Sequence, residues 1–106
     1  GTIKLSKLTP ANIRARLKTT QWTVWREDRP EAIDGFVIVI TRPDHVGGSI
    51  MHHKCASADE ARTTRDALSV TDGTVSVQDG RLVVTISVLD DDQGGAEQLA
   101  DVILAP

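Results

Sequence analysis

All three histidines and the single cysteine of this chain lie between His45 and Cys55, ending in the run His52-His53-Lys54-Cys55. Imidazole and thiol are the side chains that bind zinc, move protons near neutral pH and, as thiolate, attack electrophiles. In an extended segment alternate side chains share a face, which groups Met51, His53 and Cys55 and turns His52 and Lys54 the other way. His53 and Cys55 are therefore the candidate metal pair, one nitrogen and one sulfur about 7 Å apart along the backbone. Two ligands do not complete a zinc site. His45 is eight residues from His53 in the sequence, and an extended strand sets it roughly 25 Å away. No Cys-x-x-Cys or His-Glu-x-x-His spacing is present. Read as nucleophile and base, the same pair is too stretched for a close sulfur–nitrogen hydrogen bond, although Cys55 precedes a helix start that would favour a thiolate. The plainer reading makes Cys55 a small core residue and expects neither a cofactor nor a catalytic centre.

Other chemistry-bearing groups are sparser. Asp90-Asp91-Asp92 lacks the alternating ligands of a calcium loop and reads as a solvated turn that suits the N-terminus of a following helix. Gly47-Gly48 and Gly94-Gly95 match no phosphate-binding pattern. The net charge of −3 hides an asymmetry: residues 1–30 carry seven basic and two acidic groups, whereas residues 31–106 carry five and thirteen. A basic arm over residues 1–8 and a basic first helix could grip a nucleic-acid backbone through Lys4, Lys7, Arg14, Arg16 and Lys18. In element order alone, residues 10–69 are similar to double-stranded-RNA-binding modules. Those place lysines where this chain has Ala58-Asp59-Glu60, whose charge would repel phosphate, and no membership is assigned.

The elements that must position these groups can be read from caps and periodicity. Thr9-Pro10 starts a helix running to about Lys18, with Ile13 and Leu17 inward. Trp22 to about Glu27 is β-prone, and the unbroken apolar run Phe36 to Ile40 predicts a strand covered on both faces. Arg42 to Gly48 is a loop, and Ser49 to Cys55 a third strand antiparallel to the second. Ser57-Ala58-Asp59-Glu60 is a capping box opening a helix to about Ser69, with Ala58, Ala61, Arg65 and Leu68 along one thin stripe. Asp79-Gly80 predicts a type I′ hairpin that pairs Val77 with Leu82 and Val75 with Val84. A last helix spans about Ala96 to Leu104, burying Leu99, Val102 and Ile103.

The 106 residues thus make one α+β domain, in the order α-β-β-β-α-β-β-α on an antiparallel sheet. Composition is that of a folded protein, with 40% hydrophobic and 25% charged residues. No apolar run is long enough for a membrane span, the N-terminus lacks a signal-peptide layout, and the expected location is the cytoplasm. Trp22 and Trp25, three apart in a strand, point to opposite faces, so one of them is available as an interface anchor. With a doubly apolar strand beside it, this predicts a non-enzymatic interaction module, a homodimer or a subunit that binds a protein partner. A nucleic-acid binder and a metal- or thiol-dependent site at His53 and Cys55 are the alternatives.

Overall fold

The computed structural model describes every residue from Gly1 to Pro106. The elements are α1 (Pro10–Leu17), β1 (Thr23–Asp28), β2 (Asp34–Thr41), β3 (Gly47–Lys54), α2 (Ala58–Ser69), β4 (Thr74–Asp79), β5 (Leu82–Val88) and α3 (Gln93–Ile103), with a 3-10 turn at Leu5–Lys7. This is the α+β order expected from the sequence. All five strands join one antiparallel sheet in the order β1-β2-β3-β5-β4.

Local signals explain the helix starts. Thr9 Oγ1 accepts from the Asn12 N–H at 3.1 Å with Pro10 at the first helical position, and Ser57 Oγ accepts from the Glu60 N–H at 3.1 Å. These caps satisfy donors that the first turn of a helix leaves free. At α3 the Asp92 carboxylate does the same for the Gly95 N–H at 2.9 Å, so this helix begins at Gln93, three residues before the expected Ala96.

The sheet has unequal faces. On the first, Phe36, Ile38, Ile40, Ile50, Val84 and Ile86 meet α1 and α3 in a core of 17 buried residues. On the second, α2 packs over β4 and β5, where the enclosed apolar residues are Cys55, Ala61 and Val83 and the hydroxyl residues Thr74, Ser76 and Thr85 are buried beside them. Beside α2 the face stays open: Val37 and Val39 of β2 and Ser49 and Met51 of β3 are partly exposed. The run Phe36–Ile40 is therefore not dry on both sides, because a single helix covers about two strands and none lies over β1–β3. No helix is long and apolar enough to cross a membrane.

Three further expectations change. The β4–β5 hairpin pairs Asp79 with Leu82, Val77 with Val84 and Val75 with Ile86, a register two residues from the expected one. Gly80 and Arg81 form the turn, and only Gly80 has positive φ, at 58°, as a type II′ turn requires of its first central residue. In α2 only Ala61 is buried and Ala58 is exposed, so the stripe is thinner still. Finally, residues 1–8 are not a free arm. Leu5 and Leu8 are core residues, Ile3 N–H donates to the Leu104 carbonyl at 2.9 Å, and His52 Nε2 bonds the Leu5 carbonyl at 2.8 Å.

Candidate functional site

The two tryptophans part company just before and just inside β1. Trp22 precedes the strand and is buried on the helical face, 9% exposed, beneath the Arg42 guanidinium at 5.0 Å. Arg42 in turn reaches Asp92 at 3.1 Å and Asp44 at 3.3 Å, joining the β2–β3 loop to the start of α3. The Gly95 N–H and then Arg42 hold the Asp92 carboxyl below its ordinary range. Trp25 sits in a β-bulge, where the pairing of β1 with β2 slips between Val24 and Arg26. The extra residue re-aims the strand, as bulges do, and Trp25 is left 69% exposed on the open half of the second face.

Leu89, 62% exposed, stands across from it at the end of β5. Between them opens a cavity of about 370 Å³ floored by Val39, Thr41 and Ser49 and bordered by His45. Such a shape, apolar walls around a few hydroxyls, is that of a recognition pocket. Neither the Trp25 indole N–H, nor the His45 ring, nor the Ser49 hydroxyl makes a hydrogen bond within the chain. His45 has φ +67°, an uncommon conformation for a histidine that the tight turn around Arg42 and Val46 imposes. The Arg26 guanidinium stacks 5.0 Å over the Trp25 ring and pairs with Asp28 at 2.9 Å, which stiffens the β1 rim.

The histidine and cysteine cluster is dispersed by the fold. His45 lies at the cavity end of the sheet; His52 faces the main core, stacked on Phe36 at 5.0 Å. His53 and Cys55 do share the second face, Cys55 buried with Ala61 and Val83. No third histidine, cysteine or carboxylate joins them in a group that could hold a metal. His53 Nδ1 is buried without a hydrogen-bond partner, and burial, with the neighbouring His52, pushes the imidazole pKa down from its ordinary 6.5.

Of the basic set, Arg16 is engaged inside the molecule. Its guanidinium donates to the Ala105 carbonyl at 2.6 Å and the Val102 carbonyl at 3.4 Å, closing the C-terminal end of α3. Arg14 lies 3.7 Å from Glu27, while Lys4, Lys7 and Lys18 are exposed and make no ion pair. The ion pairs of residues 1–30 are made among themselves, and the one cation of this region that hydrogen-bonds the rest of the chain is Arg16, at the Val102 and Ala105 carbonyls. Leu89, Val39 and Ser49 are the site residues that sequence reasoning missed. The only signal was the apolar character of Val39 and Leu89, which does not distinguish a covered face from an open one.

Comparison with protein-family models, curated protein sequences and solved structures finds no match to this chain.

Proposed function

We propose that the chain is a non-enzymatic protein-interaction module whose contact surface is the open half-face of β1–β3, with Trp25 as its anchor. The observation that supports this reading is an indole 69% exposed beside a formed cavity on an uncovered apolar sheet. Tryptophan is enriched among the residues that carry binding energy, and exposed apolar patches mark interaction surfaces. The occupant is a protein partner or a second copy. A buried, unpaired Cys55 thiol fits a reducing compartment, and we place the module in the cytoplasm on that basis.

The test is photocrosslinking in cells, with a benzophenone amino acid introduced at Trp25 or Val37 and, as a control, at Arg62 on the exposed side of α2. Defined protein adducts from the two half-face positions and none from the control are expected. Equal adducts at all three positions, or none from the half-face, would remove the reading.

A further inference from the structure

Most of the excess positive charge of residues 1–30 stays at the surface. Seven cations and two acids leave a surplus of five. None of the thirteen acids in residues 31–106 forms an ion pair with any of the seven. Glu27 is shared between Arg14 at 3.7 Å and Arg29 at 3.3 Å, so one carboxylate serves two guanidiniums. Arg26 is paired with Asp28, and Arg16 is held by backbone carbonyls. Lys4, Lys7 and Lys18 are left exposed and unpaired.

α1 gives part of this charge a shape. Ala11, Arg14, Ala15 and Lys18 fall three, four and seven residues along from the first of them, which puts them on one side of the helix, and all four are exposed. Where the helix ends, Arg14 and Lys18 border a groove of about 370 Å³ between α1 and the start of β1. Leu17, Trp22 and Val24 supply its apolar surface, and no carboxylate lines it. The Thr23 hydroxyl, also in the lining, makes no hydrogen bond within the chain. A helix C-terminus repels anions through its free carbonyls, but those of Ala15, Arg16 and Leu17 accept from Lys18, Thr19 and Thr20. The exposed acids of the neighbouring α3 are turned towards β4, Glu97 beside Gln93 and Asp101 beside Val75.

Two cations and a free hydroxyl around an apolar floor suit a phosphate that carries a flat apolar body. An isolated phosphate would leave the floor unused. A duplex keeps its base faces stacked, whereas a single strand can lay an unstacked base on such a floor. We infer that the groove at the end of α1 binds single-stranded nucleic acid, with phosphodiesters on Arg14 and Lys18 and a base over Leu17, Trp22 and Val24. The strand runs on past Ala15 and Ala11 towards Lys7 and Lys4, just before the helix. This site shares no residue with the Trp25–Leu89 cavity, so it stands or falls apart from the interaction reading.

The test is fluorescence anisotropy with a labelled, mixed-sequence single strand of about twelve nucleotides, a length within the range that one domain covers. A duplex, an abasic strand and polyglutamate of matching length are the comparisons. Four cations on phosphates give a log–log salt slope of about −3 for a single strand, so affinity should fall roughly 50-fold between about 50 and about 200 mM salt. Arg14→Gln combined with Lys18→Gln should weaken binding and bring the slope to about −1.4, with the melting temperature unchanged because both residues are exposed. Arg62→Gln on α2 should alter neither affinity nor slope. The abasic strand should bind at least about fivefold more weakly, through loss of the base contact. Five results overturn the inference: no binding at about 50 mM salt, a duplex bound as tightly as the single strand, an abasic strand bound equally, polyglutamate bound equally, or a slope that the double variant leaves unchanged.

Discussion

Trp25 and Trp22 differ by three positions and by nearly everything a folded environment can impose. Trp22 fills the main core under Arg42, so Trp22→Ala should cost about 3–5 kcal/mol in denaturant unfolding. Trp25 is largely exposed and its Arg26 stack is a surface contact, so Trp25→Ala should stay within about 1 kcal/mol of wild type. His53 makes a pH prediction. Its folded pKa lies below the ordinary 6.5 because burial disfavours the charged ring. Above 6.5 the group is neutral in both states; as pH falls through that value the unfolded chain takes up a proton that the native state resists. Stability contributed by neutral His53 is therefore lost on acidification between 6.5 and the depressed native value. His53→Gln should flatten this loss in melts compared at pH 7 and about pH 5. An NMR titration placing His53 at or above 6.5 would contradict it.

At the scale of elements, a few polar side chains tie segments that hydrophobic contact alone would leave loose. Gln93 Oε1 accepts from the Gly73 and Thr74 N–H groups at 2.8 and 3.1 Å, and its Nε2 returns a bond to the Thr74 carbonyl at 3.1 Å. Gln93→Leu leaves two backbone donors without that acceptor, and a loss of about 1–3 kcal/mol is expected. The same change should speed amide exchange at the start of β4. Gly35 is constrained differently. It lies opposite His53 in the β2–β3 pairing, and a Cβ there would collide with the His52 carbonyl. Gly35→Ala should therefore shift β2 against β3 and cost at least about 1–3 kcal/mol in chemical denaturation. The starts of α1 and α2 were legible in the sequence because caps are local: Thr9 and Ser57 each act within three residues of themselves, whereas the equally local Asp92 cap begins α3 three residues earlier than its apolar spacing indicated. The hairpin register was less so, since Asp79-Gly80 can occupy a turn in more than one frame. The turn type that matched the strand pairing placed Gly80, not Asp79, at its first central position.

For the whole molecule, the division of apolar contact is uneven. Seventeen buried residues hold α1, α3 and the N-terminal turn to the sheet, while three lie beneath α2. α2 should be the first unit to open, with amide exchange governed by a free energy well below that of global unfolding. Cys55 then reports the same event, because its thiol is covered only while α2 is docked. Its reaction with a disulfide reagent should track α2 exchange rather than the global unfolding rate. Equal protection of α2 and β2 would show that the satellite cluster is part of one cooperative unit.

The sequence by itself determined the element order, the starts of α1 and α2, the sharing of one face by His53 and Cys55, and the separation of His52 from His53. Each follows from caps or from the two-residue period of a strand, which neighbouring residues impose on one another. Only the tertiary structure decided what stood against each face. It took Arg16 from the basic surface to close α3, drew the N-terminal arm into the core, and set Leu89 across from Trp25. It also left Val37 and Val39 uncovered, although they lie in the most apolar run of the chain. Burial depends on partners distant in sequence, and a run of apolar residues does not say how many helices will be there to cover it.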